Sequence, residues 1–273
     1  MDEHTMTKTQ HDGARILRTA RLLVAAAGTL AVMGALSSAH AAEAPASPAA
    51  PERAPLPTQN LTAADIVRQV DELPAPTALG GFAVHSKNFC ESCHGPNGVA
   101  QTAMWPHVSG QPFEVTAKAL LEYRAGLRSS GAQAALMAKA AQKLSDQQIA
   151  DVAALYAQLP GPDGTTLTVG KDQVKPKPID NTFIITKGDP ARAITPCAAC
   201  HGAGPESAVK APVLHGQNPA YLVRSLKDFK SGVRKNDFME EMRFFAEAMT
   251  DDEIEAVSLW YGNQMGRAGT MKK

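Results

Sequence analysis

The sequence predicts an all-α protein built from two copies of one module. Few segments alternate apolar and polar residues with period two, apolar residues recur at helical spacing, and a set of short motifs appears twice in the same order. Cys90-Glu91-Ser92-Cys93-His94 and Cys197-Ala198-Ala199-Cys200-His201 head the two copies and use all four cysteines of the chain. Downstream, Pro106 and Gly110-Gln111 are matched by Pro212 and Gly216-Gln217, and Gly126-Leu127-Arg128 by Gly232-Val233-Arg234 at the same distance.

The elements follow in chain order. Arg15, Arg18 and Arg21 precede an uncharged apolar run from Leu22 to about Leu36, and Ala39 and Ala41 form an A-x-A-like cleavage site, so residues 1–41 read as an export signal peptide. An uncleaved anchor helix is the alternative, against which the alanine and glycine content argues. Residues 42–60, rich in Ala and Pro, read as a linker. Thr62-Ala63-Ala64-Asp65 resembles a capping box, and Ile66, Val67, Val70 and Leu73 repeat at helical spacing before Pro74, which predicts a short leading helix.

In the first copy Phe113, Ala117, Leu120 and Leu121 mark a helix closed by Gly126; in the second, Leu222, Val223, Leu226 and Phe229 mark one closed by Gly232. Each copy ends in a helix with its own capping box: Ser145 to Gln148 before Ile149, Val152 and Tyr156, and Thr250 to Glu253 before Ile254, Val257 and Tyr261. Pro160 to Gly164 and Lys175 to Pro178 break regular structure between the copies. The boundary is placed near residue 165, giving modules at 61–165 and 166–273.

The chain has 27 basic and 27 acidic residues; residues 1–41 hold four and three of them, so 23 and 24 remain after cleavage. Neither a basic excess nor a base-reading motif points to nucleic acid. No later segment is long and apolar enough to be read as a membrane span, so the mature chain is expected in an exported compartment without an integral membrane domain, or tethered only by its N-terminus if the signal is retained.

The Cys-x-x-Cys-His boxes carry the chemistry. Two cysteines one helical turn apart can form thioethers to the two vinyl groups of one porphyrin, and the adjoining histidine can turn a ring nitrogen onto its iron. Cys90, Cys93, Cys197 and Cys200 are therefore assigned to covalent attachment of two haem c groups, and His94 and His201 to iron. A zinc site would want four ligands in one cluster, whereas these boxes lie about a hundred residues apart in sequence.

The repeat also selects a sixth ligand. Met137 stands seven residues before Leu144, and Met242 seven before Met249, in the same register to the last helix of each copy. Met239 is a rival to Met242 and Met104 a weaker rival to Met137, since methionines at helical spacing commonly fill cores. His107 and His215 occupy non-equivalent places, which marks them as surface histidines or supports of the site rather than duplicated ligands. His85 lacks any motif. Pro106 and Pro212 read either as turn prolines or as carriers of a carbonyl for the axial imidazole. Arg128 and Arg234 read as exposed residues after helix-ending glycines, with haem propionates as alternative partners.

Together, Cys-x-x-Cys-His-Gly, Pro-x-x-x-Gly-Gln, Gly-x-Arg and a methionine seven residues before a Leu-Ser-Asp-type helix start resemble the class I cytochrome c module. Two modules in tandem behind an export signal resemble the dihaem cytochrome c4 family of bacterial periplasms, over about residues 75–265. The resemblance implies two tandem class I cytochrome c-like domains, each wrapped around one covalently attached haem with His and Met axial ligands. It also implies single-electron transfer to a membrane oxidase or from a dehydrogenase. Two other functions stay open: a dihaem oxidoreductase of the peroxidase or sulfur-compound dehydrogenase type, and a cytochrome subunit held by a dehydrogenase or oxidase complex.

Overall fold

The computed structural model describes residues 61–163, 182–202, 204, 211–266 and 268. The expected signal at 1–41, the linker at 42–60 and the boundary near residue 165 lie outside them. All described residues belong to one unit, residues 49–273. Its helices are α1 (Ala63–Asp71), α2 (Gly80–Lys87), α3 (Glu91–His94), α4 (Phe113–Arg124), α5 (Gly131–Ala141), α6 (Asp146–Gln158), α7 (Thr182–Thr186), α8 (Cys197–His201), α9 (Pro219–Lys230), α10 (Glu241–Ala248) and α11 (Asp251–Gly262). Among the described residues the only extended pairing is an isolated bridge between Asp189 and Ile194.

Capping chemistry sets the helix starts. Thr62, Ser145 and Thr250 each accept the backbone N–H three residues on, and Asp65, Gln148 and Glu253 each return a side-chain oxygen to the cap's own N–H. The leading helix forms as its pattern predicts: Ile66 and Val70 are buried and Leu73 packs beside them, while Val67, one step off that face, is exposed.

Two apolar cores follow from the repeat. In the first, Leu120 and Leu121 of α4 meet Ile149, Val152 and Tyr156 of α6, with Ile66 closing one side. In the second, Leu222 of α9 meets Ile254, Val257 and Tyr261 of α11, and Ile184 and Ile185 of α7 close it. Met249, where the first copy has Leu144, fills the same place at the entry to the last helix and is equally buried. A basic residue at the end of α4 or α9 ties each pair of helices together. Arg124 reaches Asp146 at 2.8 Å, and Lys230 reaches Asp251 at 2.8 Å and the Met249 carbonyl at 2.8 Å.

Gly110 and Gly216 have φ of +73°, the left-handed region that favours glycine. A Cβ on either would collide with the chain leaving α6: 2.7 Å from the Gly161 Cα for Gly110, 2.4 Å from the Pro162 oxygen for Gly216. The Pro162 carbonyl also accepts the Gly266 N–H at 2.7 Å, so residues 161–162 lie against both copies.

One ion pair in the second copy makes stability depend on pH. Arg192 grips the Glu253 carboxylate with two bonds, 2.9 and 2.8 Å, and also bonds Asp189 and the Ala248 carbonyl. Hydrogen bonding from Arg192 outweighs burial and holds the Glu253 carboxyl down at about 2. A depressed carboxyl stabilises the fold fully above the ordinary value of about 4.5 and loses that contribution as pH falls toward about 2. Glu253→Gln keeps the capping box, since glutamine already fills that role at Gln148. It is expected to cost about 1–2 kcal/mol at neutral pH and to flatten the stability profile between those values, as read by chemical denaturation across pH.

Candidate haem sites

Each box lies at a helix end. Cys90 caps α3, Cys93 and His94 occupy its single turn, and Gly95 leaves it with φ +74°. Cys197, Cys200 and His201 lie in α8, which Gly202 ends in the same way. All four thiols are free. Burial raises the Cys90 thiol and lifts the Cys197 thiol to about 11, so both are held as neutral thiols against the packed core.

The two imidazoles are anchored alike. His94 Nδ1 donates to the Pro106 carbonyl at 2.9 Å and His201 Nδ1 to the Pro212 carbonyl at 2.8 Å. The prolines therefore serve as carbonyl carriers for the histidine rings. Because a carbonyl only accepts, the proton sits on Nδ1, and Nε2 keeps a lone pair for a metal. Burial lowers both histidines, favouring the neutral ring that a ligand requires.

The methionines selected by the repeat lie on helices that the motifs did not mark. Met137 is half-buried on α5 against the first core, and Met242 is half-buried near the start of α10. α5 packs on α4 and α10 on α9, the same relation in both copies. Met239 lies in the turn before α10, 82% exposed, with φ +51°. Met104 is an exposed loop residue whose carbonyl accepts from Arg224.

These residues fit a porphyrin. Free thiols a helical turn apart adjoin a histidine with one nitrogen pinned and the other left to coordinate. Large apolar side chains stand exposed next to the boxes and methionines in sequence: Phe89 before Cys90 at 75% and Leu136 before Met137 at 56%, with Phe238 and Phe244 flanking Met242. Such surface is what a buried macrocycle covers. Among the described residues no three or more His, Cys, Asp or Glu side chains gather as a metal cluster of the zinc type.

The supporting histidines are buried, not superficial. His85 Nδ1 meets the Tyr156 hydroxyl at 2.8 Å and its Nε2 meets the Gly95 carbonyl at 3.0 Å, which ties the exit of the first box to α6. His107 accepts the Ala100 N–H at 2.9 Å, and burial lowers it to about 4. His215 packs edge-on against Trp260 and Tyr261. No sequence signal marked His85, because its partners come together only when α2 and α6 pack.

Arg128 and Arg234 also depart from the expectation of exposed residues. Arg128 is buried over the Tyr123 ring and donates to the Tyr221 hydroxyl of the other copy at 2.7 Å; Arg234 lies over the equivalent Phe229 ring and donates to Asn236. Burial by itself would raise Tyr221, but the two guanidinium charges win and lower it below the ordinary phenol value. Asn236 passes on to the buried Glu122 carboxylate at 2.6 Å, which Lys118 also reaches. A chain of polar contacts therefore runs between the copies at this place.

A cytochrome c family model matches residues 79–159. The chain is 32% identical over 176 residues to a protein named thiosulfate dehydrogenase electron acceptor from Stutzerimonas stutzeri (strain A1501), spanning 64% of this chain and 78% of that one. It is 32% identical over 177 residues to cytochrome c4 of Thiocapsa roseopersicina, spanning 63% and 85%. The crystal structure of reduced recombinant cytochrome c4 from Pseudomonas stutzeri superposes with a TM-score of 0.57 at 24% identity, over 70% of this chain and all of that one. That likeness establishes the fold, two cytochrome c domains in tandem. With the repeated boxes, the pinned imidazoles and these relatives together, the chain belongs to the cytochrome c4 family, electron-carrying c-type cytochromes with covalently bound haem c.

Proposed function

We propose that this chain is a periplasmic dihaem carrier that passes single electrons between redox partners of a respiratory chain. Cys90, Cys93, His94 and Met137 hold one haem, and Cys197, Cys200, His201 and Met242 the other. The observation that carries the reading is the duplicated anchor, an imidazole pinned to a proline carbonyl in both copies. When bound, the haem supplies one-electron exchange between ferric and ferrous iron.

The chain's residues fix how that exchange runs. The cysteines of α3 and α8 and Cys90 at the start of α3 would hold the haem covalently, and the Pro106 and Pro212 carbonyls orient the imidazoles and raise the basicity of Nε2. Met137 and Met242, as the second ligands, would raise the potential relative to a pair of histidines. Met242 suits this role better than Met239, since it shares with Met137 a half-buried place on the helix packed against α9 or α4. With Met137 and Met242 as further ligands beside His94 and His201, each iron would have no position left for substrate, which would suit a carrier rather than a peroxidase or sulfur-compound dehydrogenase.

The export reading of residues 1–41, the linker at 42–60 and modules at 61–165 and 166–273 belong to the same proposal. In support of an exported compartment, Arg15, Arg18 and Arg21 precede an uncharged apolar run that ends at Ala39 and Ala41, and the relatives are c-type cytochromes. We take a dehydrogenase as donor, thiosulfate dehydrogenase first because a relative is named its electron acceptor, and a membrane oxidase as acceptor. Spectroelectrochemical titration of the mature protein is expected to give two low-spin haems per chain with a methionine-to-iron near-infrared band. Mixing the oxidised protein with thiosulfate and its dehydrogenase is expected to reduce both. A high-spin ferric haem that binds cyanide rapidly would overturn the carrier reading in favour of an enzyme.

A further inference from the structure

The peptide that pins each axial imidazole is also held from its other side, by the opposite module. The Pro106–His107 peptide accepts His94 Nδ1–H at its carbonyl, and its N–H donates to Gln217 Oε1 at 2.8 Å. The Pro212–Val213 peptide accepts His201 Nδ1–H, and its N–H donates to Gln111 Oε1 at 3.1 Å. Each glutamine closes the pair by donating Nε2–H to the next carbonyl, Gln217 to His107 and Gln111 to Val213, both at 2.8 Å. Gln217 is buried and its Oε1 also accepts the Asn218 N–H at 2.9 Å, so its acceptor atom is fixed in place.

We propose that Gln217 and Gln111 are positioning residues that act across the module boundary, each setting the basicity of the other module's axial imidazole through the shared peptide. The proposal rests on His94 and His201 being the iron ligands. An amide is conjugated, so an acceptor on its N–H shifts electron density toward its oxygen and strengthens that oxygen as an acceptor. A stronger acceptor draws the Nδ1 proton outward and enriches Nε2, which favours ferric over ferrous iron. Each glutamine thus lowers the potential of the haem it does not itself adjoin in sequence. The shorter Gln217 bond makes its influence on the first haem the greater of the two.

The test uses the mature dihaem protein with Gln217→Ala and, separately, Gln111→Ala. Potentials are read haem by haem from an NMR-monitored redox titration of assigned haem-methyl signals. Gln217→Ala is expected to raise the ferrous-to-ferric ratio of the first haem about threefold at fixed ambient potential, with the second nearly unmoved. Gln111→Ala is expected to give the mirror result with a smaller shift. In the ferrous proteins the Nδ1–H signal of His94 should move upfield in Gln217→Ala alone, and that of His201 in Gln111→Ala alone. Shifts in the variant's own module, equal shifts in both haems, or no shift overturn the proposal. Should Gln217→Ala not fold, the half-buried Gln111 decides by the same crossing. A parent protein without low-spin, histidine-ligated haem fells the ligand reading itself, whereas a normal parent with uncrossed shifts fells only the cross-module effect.

Discussion

Purified protein carrying Cys90→Ser and Cys93→Ser together is expected to retain one covalent haem per chain in place of two, by mass and by the pyridine haemochrome. Serine cannot form the thioethers, so the first box loses both covalent bonds at once. The loss reaches beyond the cofactor. Cys90 lies beneath the end of α2, its sulfur 3.8 Å from the Val84 carbonyl, and Phe89 and Leu136 nearby in sequence carry exposed apolar surface. A small core of this kind relies on its prosthetic group as a staple. Calorimetry should therefore resolve an early transition from the first module while the second melts near its original temperature. Retention of two covalent haems by this variant would refute the assignment.

Met137→Leu is expected to leave the fold nearly intact and convert the first haem to a high-spin ferric state. Leucine matches the volume of methionine, and such swaps in partly buried positions cost under about 1.5 kcal/mol. What is lost is the thioether. The methionine-to-iron band should fall by half, the potential of that haem should drop steeply, and exogenous cyanide should bind it. Met242→Leu should do the same to the second haem. Met239→Leu, changing a side chain 82% exposed at the kink before α10, should leave the near-infrared spectrum unchanged. Loss of the band in Met239→Leu instead of Met242→Leu would transfer the ligand.

Local patterns made much of this readable in advance. The boxes, the capping residues Thr62, Ser145 and Thr250, and the paired Gly-Gln segments each act within a few residues, so linear order exposes them. The repeat added what one copy could not, singling out Met137 and Met242 from the ten methionines as the pair proposed for the irons. What stayed hidden depends on packing between distant segments. His85 matters because α2 lies on α6, and Arg128 is buried because Tyr221 of the other module covers it. Helices α5 and α10 escaped notice because their apolar faces are sparse: Ala134 and Ala141 are the buried residues of one and Ala246 of the other. Basic residues of the second module likewise have partners that only packing reveals: Arg224 bonds the Met104 carbonyl, Lys230 bonds Asp251 and Arg234 bonds Asn236.

The exchange of glutamines has a bearing on ancestry. Gln111 meets the peptide at 213 while Gln217 meets the peptide at 107, so these four bonds form a reciprocal pair. Reciprocity of this type belongs to two-fold homodimers. A single-domain forebear could thus have paired with itself through the same bonds before gene duplication joined the halves. Since only main-chain atoms of residues 107 and 213 take part, their side chains were free to diverge to histidine and valine without weakening the union.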